Sequence, residues 1–225
     1  MRRLTGFVLV GALAIYYAPS ASAQRAEASF NFGYSASEGI EISDRLLLGQ
    51  IYDTLAVDSG ASINLTFGYF FTDQFSAEFL WGRQNSRFQA DGPAGKLEIS
   101  ELTLYNYMFN GVYSWGERDA QVRPYAFAGL GWTSYSFGDL LLPAPTPSAS
   151  GQIDNESRFS TNLGAGVKFY FTPNVGAKFG FRWTPTYIKS ETEGFWCDPF
   201  YGCWELVDTD YSNQFETAVG LTVRF

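Results

Sequence analysis

The sequence predicts an all-β fold, an eight-stranded antiparallel up-and-down transmembrane β-barrel. Three observations predict it. Eight stretches alternate apolar and polar residues with the two-residue period of a strand. The connections between them are alternately short and long. No segment offers the ~20 consecutive apolar residues that a membrane-crossing helix needs, so insertion has to use strands.

The chain opens with Arg2 and Arg3, an apolar run from Phe7 to Tyr17, then Pro19 and Ala21-Ser22-Ala23, the order of a secretory signal peptide. Residues 1–23 are therefore expected to be cleaved, leaving 24–225 as one barrel domain. With no Cys beside the cleavage site, a lipid anchor has no acceptor. Loss of Arg2 and Arg3 takes Lys plus Arg from 15 to 13 against 23 acidic residues, which makes nucleic acid a poor partner. The aromatic fraction of 18% suits a wall with lipid-facing area and interfacial girdles.

Strands are expected at Ala28 to Ala36, Ala61 to Phe71, Phe75 to Gln84, Leu97 to Trp115, Val122 to Phe137, Phe159 to Phe171, Val175 to Lys189 and Gln214 to Phe225. The first sets Phe30, Phe32 and Tyr34 against Asn31, Gly33 and Ser35. The second sets Ile63, Leu65, Phe67 and Tyr69 against Ser62, Asn64, Thr66 and Gly68, and the third sets Phe75, Phe79 and Trp81 against Ser76, Glu78 and Gly82. The sixth and seventh repeat this, with Leu163, Val167, Phe169, Phe179, Phe181 and Trp183 on one face. Lys168, Lys178, Gly180 and Arg182 lie on the other. The last runs from Phe215 through Thr217, Val219, Leu221 and Val223 to Phe225, opposite Gln214, Glu216, Ala218, Gly220, Thr222 and Arg224.

Alternation alone also fits a soluble β-sandwich or a calycin-type barrel, whose apolar face turns inward. Side-chain size favours the transmembrane reading: Gly, Ser, Asn and Thr with a few long charges fit a narrow lumen, whereas the Phe-rich set is too bulky for one. The fourth strand resists assignment. Leu102, Leu104, Met108 and Val112 compete with Tyr105, Tyr107, Phe109 and Tyr113 for the outer face, and a bulge would reconcile the two halves.

Thr72-Asp-Gln74, Gly116 to Gln121 and Thr172-Pro-Asn174 are short turns; Ser37 to Gly60, Asn85 to Lys96, Gly138 to Arg158 and Ser190 to Asn213 are long loops. Up-and-down connectivity puts all the long ones at one end. In outer-membrane barrels that end is extracellular, so both termini are expected in the periplasm of a Gram-negative-type bacterium.

The run Arg123-Pro-Tyr-Ala-Phe-Ala-Gly-Leu-Gly-Trp132 and the ending Leu221, Val223, Phe225 resemble the small outer-membrane β-barrel superfamily, the porin-like group with OmpA-type transmembrane domains and OmpX. Pro124, Tyr125, Gly129 and Gly131 carry the internal match. The resemblance implies that Leu221, Val223 and Phe225 form a signal read by the barrel-assembly machinery; the plain alternative is a final strand packing its end. Stopping at Phe225, the chain is expected to lack the peptidoglycan-binding domain of full-length OmpA.

The chain has no histidine. Barrels that resemble lipases, lipid A deacylases or omptin proteases rely on a His base, so an enzyme is not expected; nor is any cofactor or metal site. The inward set holds Glu78 and Glu216 beside Arg123, Lys168, Lys178, Arg182 and Arg224. These should interlock as a polar plug, with Glu216 and Arg182 at similar heights on adjacent strands as a direct pair.

Cys197 and Cys203, the only cysteines, are expected to pair in an exported chain. Their loop also presents Phe195, Trp196, Phe200, Tyr201 and Trp204, either as a contact for an extracellular partner or as a self-packed tip on the rim. Acidic residues crowd the long loops, among them Glu38, Glu41, Asp44, Asp53, Asp58, Glu191, Glu193, Asp208 and Asp210. They either bridge to lipopolysaccharide through divalent cations or form a solvated face. The expected function is that of a monomeric scaffold in outer-membrane lipid whose loops meet the exterior; the alternative is a narrow channel for small solutes.

Overall fold

The computed structural model describes residues 25–38, 40–47, 50–93, 95–141, 155–188, 196–198, 202–204 and 211–225. The expected signal peptide lies outside them, as do residues 142–154 of the Gly138 to Arg158 loop and the residues Phe195, Phe200 and Tyr201. The strands are β1 (Ala26–Ser37), β2 (Ile40–Leu47), β3 (Gln50–Val57), β4 (Gly60–Phe70), β5 (Phe75–Gly92), β6 (Gly95–Ser114), β7 (Val122–Leu140), β8 (Glu156–Tyr170), β9 (Val175–Tyr187), β10 (Trp196–Asp198), β11 (Gly202–Trp204) and β12 (Tyr211–Arg224).

Eight of them, β1, β4, β5, β6, β7, β8, β9 and β12, form a closed antiparallel barrel in which neighbours are consecutive among the eight except where the first meets the last. The seam joins β1 to β12, from Glu27 opposite Arg224 to Ser37 opposite Gln214. At its end Ala26 N–H donates to the Phe225 carbonyl at 3.0 Å, and Phe225 N–H donates back to Ala26 at 3.0 Å. Closure satisfies the backbone of both terminal strands, which lipid cannot do.

Two of the short turns share one device. Thr72 Oγ1 accepts from Phe75 N–H at 2.9 Å, and Thr172 Oγ1 accepts from Val175 N–H at 3.0 Å. These turns and both barrel termini occupy one end.

The Phe-rich set faces outward. Phe32, Tyr34, Phe67, Phe179 and Leu221 are exposed, while Asn31, Asn64, Thr66, Glu78 and Glu216 are buried on the inner face. On β6, Tyr105, Tyr107, Phe109 and Tyr113 take the outer face, and Leu102, Leu104, Met108 and Val112 point inward and are buried. Outer-face ring contacts pair Phe75 with Tyr113 at 4.9 Å, Phe79 with Phe109 at 5.1 Å and Tyr107 with Trp132 at 5.7 Å. No bulge separates the two halves of β6, because its register with β5 is continuous from Phe75 opposite Tyr113 to Phe88 opposite Ser100. The shift comes afterwards, with Ile99 as the extra residue.

All four expected long loops hold strand residues, and two of them hold long ladders. The ladder of β5 and β6 continues through the segment Asn85 to Lys96 up to Gly92 opposite Gly95, and Ser37 to Gly60 holds the β2–β3 hairpin, whose β3 pairs with the upper part of β5. The wall is therefore lopsided: β5, β6 and β7 have 18, 20 and 19 residues, against 12, 11, 13 and 14 for β1, β4, β9 and β12.

The extension reverses the polarity of the wall. Phe88, Ala90, Ile99, Leu102 and Phe137 turn inward, packed with Tyr52, Leu55 and Val57 of β3 and with Ile188. Outside, Arg87 is ion-paired with Glu98, and Lys96 lies 3.8 Å from Asp91. Apolar inside and charged outside is the arrangement of β-structure in water. The alternation used to find strands in lipid therefore fades where the wall leaves it.

Candidate functional site

The barrel interior collects the charged residues. Going up from the turn end, Glu27 of β1 meets Lys168 of β8 in a buried ion pair; its other oxygen accepts from Tyr170 Oη at 2.7 Å and lies 3.6 Å from Arg224 Nε. One turn-end carboxylate thus serves two cations and a phenol. Arg123 donates to the Asp73 carbonyl, and its guanidinium stands over the Phe70 ring at 5.6 Å. Lys168 stands over the same ring at 5.7 Å.

In the next tier Lys178 Nζ donates to Glu78 Oε2 at 2.7 Å and to Thr66 Oγ1 at 3.4 Å. The Tyr125 ring separates the two lysines, 5.2 Å from Lys168 Nζ and 5.3 Å from Lys178 Nζ, a cation–π arrangement that softens their repulsion. Tyr125 crosses the wall where Gly166 and Gly180 leave room; a Cβ at either would stand 2.6 Å from its hydroxyl.

Above it Arg182 Nη2 donates to Glu216 Oε2 at 2.9 Å, in register on β9 and β12, while Asn64 Nδ2 donates to Glu216 Oε1 at 2.9 Å. Then comes a belt of amides and hydroxyls. Gln214 donates to Gln84 and accepts from Asn106 at 3.3 Å; Asn106 accepts from Thr133 at 2.8 Å, and Thr133, Ser160 and Thr186 follow at 2.8 Å steps. This belt reaches from β12 across the lumen to β6. The apolar cluster around Leu102, Leu104 and Phe88 lies above it.

The structure thus gathers Glu78, Lys168, Lys178, Arg182, Glu216 and Arg224 in one lumen, with Arg123 beside them. Sequence reasoning missed Glu27, Tyr170 and the amide belt. Parity held the signal: Glu27 precedes Ser29 and Asn31 by steps of two, but the first strand was expected to start only at Ala28. Among the hairpin residues only the backbone is described: Cys197 is opposite Cys203 and Trp196 opposite Trp204 in the β10–β11 ladder.

Removing one partner of a buried ion pair strands the other charge, at a cost of about 3–5 kcal/mol that lumen water reduces. Glu216→Gln leaves one cation unpaired; Glu27→Gln leaves Lys168 and Arg224 without their shared counter-charge. Glu27→Gln is expected to destabilise the folded barrel more than Glu216→Gln in urea unfolding from lipid vesicles. Equal losses would show that Glu27 carries no greater share of the plug.

The sequence matches the outer membrane protein beta-barrel domain family over residues 5–225. It is 36% identical over 96 residues to outer membrane protein W of Vibrio cholerae, a match covering 41% of this chain and 43% of that protein, less than half of either. In fold the chain is similar to OprG of Pseudomonas aeruginosa, at 15% identity and a TM-score of 0.57 over 90% of this chain and 96% of that one. Neisserial surface protein A follows at 16% identity and 0.53 over 89% and 97%. AlkL, solved by solid-state NMR in lipid bilayers, gives 16% and 0.53 over 92% and 95%. The chain belongs to the outer membrane protein β-barrel domain family, and the outer membrane of a Gram-negative-type bacterium is where it resides.

Proposed function

We propose that this protein is a monomeric outer-membrane scaffold that presents its lopsided crown of strands and loops to the cell exterior for surface interaction. The carrying observation is the crossed lumen. The ion pairs and the amide belt span it, and the void beside Asn64, Lys178 and Glu216 has a volume of about 40 Å³. A void of that size holds only a few waters. Orientation follows from connection length: the long-loop end faces outward into lipopolysaccharide and the medium, and the short turns and termini face the periplasm. Catalysis has no part in this reading, since the chain lacks a histidine base and its buried carboxylates neutralise cations.

Planar-bilayer recordings of the purified protein test it against the narrow-channel alternative. Silence is the expected result. Steady unitary openings would replace the scaffold with a conduit.

Within the crown, the β10–β11 hairpin is proposed to carry a Cys197–Cys203 disulfide, supported by the direct opposition of the two residues in register. Closing so short a loop stabilises it by about 2 kcal/mol in the chain-entropy model. Thiol titration of the denatured, unreduced protein from the outer membrane is expected to find no reactive cysteine. Two reactive thiols per chain would sink the proposal.

Leu221, Val223 and Phe225 are proposed to be read by the barrel-assembly machinery. Phe225 is 42% exposed, and its loss removes a partly lipid-facing ring and the last seam bonds to Ala26. That costs at most about 3 kcal/mol by burial, which the remaining ladder can absorb. Deletion of Phe225 is expected to leave folding in detergent intact while lowering the amount in the outer membrane of cells. Equal outer-membrane levels of deletion and parent would make the residue only structural.

A further inference from the structure

We propose that the turn end of the lumen is a binding site for a phosphate-class oxyanion, held by Arg118 and Arg224 with Arg123 and Lys168 supplying charge from behind. A cavity of about 550 Å³ opens there, lined by Arg118, Arg224, Tyr170, Gln121 and the Thr172-Pro173 turn, and also by the carboxylates of Asp73, Glu117 and Asp119. Arg224 is 3% exposed and lies flat on the Tyr170 ring, 3.3 Å from its centre. Its Nη1 donates to the Arg118 carbonyl at 2.5 Å, which ties the two arginines together.

Donors outnumber acceptors. Arg118 Nη2 and Arg224 Nε and Nη2 are buried nitrogens without a hydrogen-bond partner, and so are Nε and Nη1 of Arg123 behind them. Buried charge is unbalanced in the same way. Arg118, Arg123 and Lys168 all stand within 5.7 Å of the Phe70 ring centre, and Arg224 completes the group. Glu27 is the buried carboxylate within reach, and it already serves Lys168, Tyr170 and Arg224. Burial, then the neighbouring Arg224 charge, lowers the pKa of the Arg118 guanidinium from its ordinary value. Asp73, Glu117 and Asp119 are exposed, so water and salt screen them, whereas the buried Arg224 is screened much less and the half-buried Arg118 lies between.

Buried N–H groups without a hydrogen-bond partner thus remain on two separate guanidinium groups, which call for an acceptor with oxygens in more than one direction. A phosphoryl group presents three or four oxygens and matches the fork of each arginine. With this end periplasmic, as proposed above, the shared chemistry has two sources: free phosphate compounds of the periplasm, or the headgroup of an inner-leaflet phospholipid.

The test uses the full mature chain in maltoside micelles, titrated with inorganic phosphate by calorimetry against a chloride control of equal ionic strength. Saturable phosphate binding is expected, weakened about tenfold or more in Arg118→Gln and in Arg224→Lys, the loss typical of a charged hydrogen bond. Arg118 lies outside the strands, so Arg118→Gln retains the wall, and heat-modifiable gel migration verifies folding of both variants. Adding short-chain phosphatidylglycerol separates the sources: displacement of phosphate assigns the site to a headgroup, and undisturbed binding assigns it to soluble phosphate. No saturable binding, or equal affinity in parent and both folded variants, overturns the proposal.

Discussion

Closure of the ladder between β1 and β12 is the constraint on which the rest of the structure depends. An open sheet in lipid would leave a row of peptide groups unpaired at each edge, and each costs several kcal/mol where no water can reach it. The seam from Glu27 opposite Arg224 to Ser37 opposite Gln214 removes both edges at once. It also fixes the interior: Glu27 and Arg224 become neighbours through closure, although the chain separates them almost completely. The turn-end charge cluster is thus a product of the fold's longest-range contact.

Once closed, the wall divides by solvent. In lipid its outer face is aromatic and its lumen polar; above lipid the lumen becomes apolar, around Phe88, Leu102 and Phe137, and the outer face becomes charged at Arg87, Glu98 and Lys96. The amide and hydroxyl belt of Gln84, Gln214, Asn106, Thr133 and Ser160 lies between the two regimes. Neutral hydrogen-bonding side chains suit that level, because they bond one another without the desolvation cost of a full charge and tolerate apolar neighbours.

The fold class, the closed eight-strand order and the facing of six strands were legible because period-two alternation has strong contrast where one face meets lipid. The Arg182 and Glu216 register was legible for the same reason: both strands run uninterrupted from the turn end, so counting residues gives height. Contrast failed on β6, where Leu102, Leu104, Met108 and Val112 are apolar on the inner face and Tyr105, Tyr107 and Phe109 are apolar on the outer. It failed again beyond Gln84, where the polarity reverses and a search for apolar outer residues reads the strand as loop. The β2–β3 hairpin is hidden because its partner, the upper part of β5, itself reads as loop in the sequence. None of these failures touches the strand order, since order depends on the sequence of turns rather than on the sign of each face.

The charge plug has a direction that the strand pattern alone does not reveal. Its upper pairs, Lys178 with Glu78 and Arg182 with Glu216, each balance a cation with a carboxylate at 2.7 and 2.9 Å. Its lower end sets Lys168, Arg123 and Arg224 against Glu27. A barrel held together only by internal neutralisation would have no reason to leave the excess cations together at one mouth, where mutual repulsion is greatest. Ring faces of Phe70, Tyr125 and Tyr170 offset part of that repulsion, since cation–π contact is worth about 0.5–2 kcal/mol and supplies no counter-charge. At the turn end the buried cations Lys168, Arg123 and Arg224 therefore outnumber Glu27, while the exposed carboxylates of Asp73, Glu117 and Asp119 line the mouth.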